Sequence, residues 1–102
     1  MRVLITGGSG FMGTNLVEYY LSKQQEVINL DIAPPRNPQH GPYWRQVDIL
    51  NEEALRSEVT GFRPSHIVNL AAQTDTSDGR RTLEHYATNF RGLKNLVEIA
   101  RN

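Results

Sequence analysis

An α/β fold built on a parallel sheet is what this sequence predicts, and three observations predict it. Short apolar, β-branched runs alternate with helical patterns along the chain, the order expected of βαβ units. The first run passes straight into "TGGSGFMG" at 6–13, which holds four glycines in eight positions. A long helical stripe closes the chain at 82–101.

The elements follow in order. "RVLIT" (2–6) is short, apolar and β-branched and reads as a buried parallel strand. "FMGTNLVEYYLSK" (11–23) spaces Phe11, Leu16, Val17, Tyr20 and Leu21 for one face of a helix. "EVINLD" (26–31) reads as the second strand. The stretch 33–42 carries four prolines and is expected to be a loop, the one candidate for local disorder. "YWRQVDI" (43–49) is a weaker third strand. "NEEALRSEV" (51–59) reads as a short helix with Asn51 as N-cap and Glu52 and Glu53 in its first turn. "SHIVNLAA" (65–72) is the fourth strand, and 73–81 a polar loop. The final helix, 82–101, carries Leu83, Tyr86, Ala87, Phe90, Leu93, Leu96, Val97 and Ala100 at helical spacings.

Composition narrows the function. Eleven basic side chains balance eleven acidic ones, so no basic stripe points to nucleic acid or an acidic membrane. There is no cysteine, which excludes disulfides, thiolate metal sites and a cysteine nucleophile. No apolar run approaches the roughly 20 residues of a membrane span, and no signal-peptide pattern is visible. The expectation is a soluble, cytoplasmic protein with neither nucleic-acid nor membrane partners. His40, His66 and His85 show no metal spacing. His66 reads as a strand residue at the edge of the core, and the other two as exposed.

The glycine cluster lies between a strand and a helix, and that context gives it meaning. A helix N-terminus exposes unpaired N–H groups and a partial positive charge, so a pyrophosphate placed there gains hydrogen bonds and favourable charge. Two registers fit: Gly8, Gly10, Gly13 and Gly7, Gly10, Gly13. The alternative to a dinucleotide site is an ordinary tight turn. Asp31 ends the second strand about 20 residues past the loop, where a carboxylate accepts the adenosine ribose hydroxyls and repels a 2′-phosphate. That favours NAD. Arg36 stands nearby and keeps NADP open as the alternative, while a merely solvated aspartate is the plainer reading of Asp31.

With these residues in place, the chain resembles the extended short-chain dehydrogenase/reductase family, the NAD-dependent epimerase/dehydratase group. The match rests on "TGGSGFMG", Asp31, "VDI" (47–49), "NLAAQ" (69–73) and "NFRGLKNLVEIAR" (89–101), in that order along nearly the whole chain. The resemblance implies a Rossmann-like parallel sheet of order 3-2-1-4, the N-terminal half of a doubly wound NAD-binding domain. It selects the register Gly7, Gly10 and Gly13. It implies that Phe11 and Met12 offer N–H groups to the pyrophosphate, that Asp48 binds the adenine amino group, and that Ile49 packs on the ring. Leu70, Ala71 and Ala72 would line the cofactor, Gln73 would face nicotinamide or substrate, and Asn89 would stand near the cofactor.

The same resemblance implies hydride transfer on a nucleotide sugar, driven by a Tyr-x-x-x-Lys pair. The literal match here, Tyr19 and Lys23, lies in the first helix and reads as an i, i+4 surface pair. The chain therefore offers no catalytic residue and no metal ligand. It is expected to be the first part, 1–102, of a longer enzyme whose catalytic half and substrate domain are missing. A non-catalytic dinucleotide-sensing module is the alternative. An exposed fourth-strand edge and a dimer through the final helix are also expected.

Overall fold

Four parallel strands form one sheet in the order β3-β2-β1-β4, the arrangement expected from the sequence. The structure, a computed structural model, describes residues 1–71 together with Lys94 and Ile99. Strand β1 (Arg2–Thr6) lies at the centre. It pairs on one side with β2 (Glu26–Asp31), Thr6 opposite Leu30, and on the other with β4 (His66–Asn69), Thr6 opposite Asn69. The outer strand β3 is only Trp44–Gln46.

Helices cover both faces, as the alternation of side chains along parallel strands requires. Leu4, Ile28 and Leu30 point to one face and pack with Val47, Leu55 and Val59, the last two from helix α2 (Glu52–Phe62). Val3, Ile5 and Val27 point to the other and meet Val17 of helix α1 (Phe11–Ser22). Ile99, which falls outside the apolar stripe read for the final helix, is buried in the first of these clusters. Lys94 and Ile99 are both helical. The remainder of the expected last helix, and the loop before it, lie outside the described residues.

Local signals explain where elements start and stop. Asn51 caps α2 as expected, its side chain accepting the Ala54 N–H at 3.2 Å, and Glu52 and Glu53 complement the helix dipole. Arg63, in a left-handed conformation, ends that helix. Tyr19 and Lys23 are indeed surface neighbours, with the Lys23 ammonium 5.8 Å from the Tyr19 ring centre.

The structure corrects four expectations. The proline-rich stretch is ordered, with a 3-10 helix at Pro38–Tyr43. Pro38 sits where a missing N–H costs nothing, and the Asn37 side chain accepts from Gln39 N. The fourth strand stops at Asn69 rather than Ala72. Phe11 is 70% exposed and does not share the buried face of α1. Finally, His40 and His66 exchange places: His66 is exposed, whereas His40 is 3% exposed. The His40 Nε2 lies 2.8 Å from Glu18 Oε2, an α1 carboxylate that ties the 3-10 helix to the main body.

Candidate functional site

The site forms where β1 gives way to α1, at the carboxyl end of the sheet. Gly7 continues the ladder, its N–H donating to the Leu30 carbonyl at 2.9 Å. It then turns with φ of 76°, a conformation that disfavours any side chain. A Cβ there would also stand 2.7 Å from Ala71 N. Gly13 is needed for a different reason: its Cβ would meet the loop backbone, 2.5 Å from Gly8 Cα. At Gly13 the missing side chain thus lets the helix pack closely on the loop.

Gly10 differs from both. It is the N-cap of α1, with an ordinary extended backbone. Among the described residues an added Cβ would find only Gly7 O, at 3.6 Å, so they leave this face of the loop open. Beyond it, the N–H groups of Phe11, Met12 and Gly13 have no acceptor among the described residues. These are orphan donors of a first helical turn. No acidic side chain occupies that turn, so its partial positive charge is uncompensated there.

Beside the loop, at the end of β2, stands Asp31. Its Oδ2 accepts the Ser9 N–H at 2.9 Å and its Oδ1 accepts the Ala33 N–H at 3.0 Å. The carboxylate is therefore held in a fixed orientation, and each oxygen keeps a lone pair for a further donor. Behind it, Asn29 Oδ1 accepts Gly8 N at 2.8 Å, and Asn29 Nδ2 donates to Ser9 Oγ at 3.1 Å. Ser9 Oγ in turn donates to the Ala33 carbonyl at 2.8 Å.

These elements enclose an open cleft of about 770 Å³, within the size range of small-molecule sites. Of the residues singled out from the sequence, Gly7, Gly10, Asp31, Asp48, Ile49, Leu70 and Ala71 line it, and so does Arg36. Gly13 lies behind the loop and is buried. The side chains of Phe11 and Met12 point into solvent, each 70% exposed, although their N–H groups face the first-turn opening with no acceptor among the described residues. Ala72, Gln73 and Asn89 lie outside the described residues. Asp48 turns its carboxylate partly to its own backbone, accepting Leu50 N at 2.9 Å.

Sequence reasoning missed Ser9, Asn29 and Thr6. Thr6 Oγ1 hydrogen-bonds Asn69 Oδ1 and receives Ala71 N at 3.3 Å, which fixes the wall formed by Leu70 and Ala71. Asn29 had a visible signal, a lone amide inside the apolar run "VINL". Ser9 had none, because serine is common in any loop. Among the described residues no three metal-ligating side chains converge, and no helix is long and apolar enough to cross a membrane.

Comparison with known proteins agrees with this geometry. A family model described as NAD dependent epimerase/dehydratase family matches residues 3–102. The chain is 39% identical over 102 residues to a 3-beta-hydroxysteroid dehydrogenase of Mycolicibacterium neoaurum, a match covering 94% of this chain and 27% of that protein. It is 30% identical to a probable dTDP-glucose 4,6-dehydratase of Sinorhizobium fredii, over 99% of this chain and 32% of that protein. The UDP-glucose 4-epimerase of Thermus thermophilus, solved in complex with NAD, superposes with a TM-score of 0.79 at 32% identity, covering 99% of this chain and 34% of that one. The chain thus spans about a third of the length of such relatives. On the match of its own family model from Val3 to the last residue, the chain belongs to the NAD-dependent epimerase/dehydratase family.

Proposed function

We propose that this chain is the dinucleotide-binding part of an NAD-dependent epimerase, dehydratase or reductase acting on a nucleotide sugar. One observation carries the reading: the N–H groups of Phe11, Met12 and Gly13, without an acceptor among the described residues, follow the open face of Gly10, and a pinned Asp31 lines the cleft beside the same loop. A pyrophosphate needs the first two features, and an adenosine ribose needs the third. In this reading Asp48 and Ile49 hold the adenine end, and Leu70, Ala71, Ala72, Gln73 and Asn89 serve the nicotinamide side. The nicotinamide supplies hydride chemistry when bound. This chain's own work is to fix the dinucleotide's charge and orientation against the sheet.

The proton-transfer pair and the substrate pocket then belong to sequence outside these residues, because Tyr19 and Lys23 sit on the outer surface of α1. Residues 1–102 are read as the first half of a doubly wound domain, with the final helix as a dimer contact. Support for a nucleotide sugar comes from the dehydratase relative and from a Bordetella bronchiseptica enzyme, WbmG, solved with NAD and UDP, at TM-score 0.81 and 28% identity. A hydroxysteroid is the second reading, favoured by the relative at 39% identity.

Calorimetric titration of the intact protein with NAD and NADP tests the cofactor. NAD is expected to bind more tightly, since the held Asp31 carboxylate repels a 2′-phosphate. Equal affinities, or a preference for NADP carried by Arg36, would overturn that choice. Following NADH formation with UDP-sugars, dTDP-sugars and a 3β-hydroxysteroid separates the two substrate classes.

A further inference from the structure

We infer that Asn29 is a positioning residue for the glycine loop, acting on the dinucleotide site through Gly8 and Ser9. Asn29 lies mid-strand in β2, on the face that carries Val27 and packs against α1. A residue there has every reason to be aliphatic, and its neighbours Ile28 and Leu30 are. Instead the position holds an amide that is 1% exposed.

Both ends of that amide are spent on the loop. Its carbonyl oxygen takes the Gly8 N–H, and its NH2 reaches Ser9 Oγ. Ser9 passes the connection on to the Ala33 carbonyl and, through its N–H, to Asp31. One buried side chain therefore joins the pyrophosphate side of the cleft to its ribose side. The fit is mutual, because a Cβ on Gly8 would stand 2.5 Å from Asn29 Oδ1 and 2.6 Å from its Cγ. Asn29 thus excludes a side chain at Gly8 whatever ligand approaches the loop.

A consequence follows for the division of labour in the loop. The Gly8 and Ser9 N–H groups are consumed internally, so they set the loop's position and leave the anion to Phe11, Met12 and Gly13. Replacing the amide by leucine keeps the branching and the number of side-chain heavy atoms, enlarges the two ends, and removes both hydrogen bonds. The loop then loses its anchor while the β2 ladder stays.

The inference rests on the reading of the loop as a pyrophosphate cradle, and two measurements keep the two apart. The first is amide hydrogen exchange on the unliganded protein, comparing Asn29→Leu with the parent. Faster exchange at Gly8 by about tenfold or more, the loss of one buried hydrogen bond, is expected, with Leu4 and Ile28 unchanged. Exchange that rises equally at Leu4 and Ile28, or does not rise at Gly8, would overturn the anchoring role whatever the ligand.

The second is calorimetry with NAD and with adenosine. Asn29→Leu is expected to weaken NAD by about tenfold or more and adenosine by a clearly smaller factor, because the Ala33 N–H still holds the Asp31 carboxylate. Equal losses for both ligands, or no loss for NAD, would overturn the positioning role. If the parent protein itself binds no NAD, the cofactor reading falls with it. Should Asn29→Leu not fold, Asn29→Ala makes the same comparison. In that smaller background Gly8→Ala is expected to cost less stability than it does alone, because the clash partner is gone. A cost as large as in the parent would count against the coupling.

Discussion

Gly10 is the position at which fold and ligand make separable demands. A side chain at Gly7 or Gly13 would strike backbone belonging to the protein, at Ala71 N and Gly8 Cα respectively. At Gly10 an added Cβ meets, among the described residues, only the Gly7 carbonyl, at 3.6 Å, which is ordinary contact. The backbone there has φ of −77°, which any residue adopts. Gly10→Ala therefore costs the fold little beyond the weaker capping of alanine, about 0.5–1 kcal/mol. For a domain of this size that lowers Tm by roughly 2–8 °C. Binding is affected far more. The methyl group would stand at the N-cap of α1, at the start of the turn where the diphosphate is proposed to sit. Hydrogen bonds to a charged group contribute about 1.5–3 kcal/mol each, so loss of one weakens NAD roughly 10- to 150-fold. Gly10→Val, bulkier and branched, is expected to abolish binding at millimolar NAD. Differential scanning fluorimetry reports the first number and isothermal titration the second. A folded Gly10→Val protein that binds NAD with unchanged Kd would refute the reasoning, as would a Gly10→Ala protein that does not fold.

Two other substitutions probe the surroundings of the loop. Asp31→Ala removes the acceptor of both Ser9 N and Ala33 N; NAD affinity should fall by about tenfold or more with no gain for NADP above the parent's NAD affinity, as measured by titration. Glu18→Ala leaves the buried His40 ring with no partner for Nε2 beyond the long, 3.4 Å approach of Asn37, a cost of about 1–3 kcal/mol read from urea midpoints, whereas Glu18→Gln keeps an acceptor and should stay within about 0.5 kcal/mol of the parent.

The sheet was legible because its signals are local and repetitive. Leu4, Ile28 and Leu55 announce burial by type and spacing, and Asn51 with Glu52 and Glu53 announces a helix start. The glycine loop was legible because its residue types stand at a strand-to-helix junction. What escaped depends on contacts between distant parts of the chain. His40 looked exposed because a histidine among prolines and glycine carries no sign of a partner on α1, twenty-two residues earlier. The 3-10 helix at Pro38–Tyr43 looked like a loop because proline breaks both regular helix and sheet. Ile99 escaped because the stripe around it is nearly continuous, so periodicity alone does not choose the buried edge. The separate constraints on the glycines were not legible: a side chain at Gly7 or Gly13 would strike backbone, one at Gly8 would strike Asn29, and at Gly10 the described residues leave room.

The central strand comes before the other three in chain order, and its second neighbour, β4, begins at His66. At translation speeds of about 5–20 residues per second, the nascent glycine turn waits several seconds before Ala71, the backbone against which Gly7 closes, has been made. Until then the turn has only half of its walls. Closure of that wall of the cleft is thereby postponed, and ribosome pausing between codons 31 and 71 would lengthen the interval in which the β1 edge that later pairs with β4 stays open.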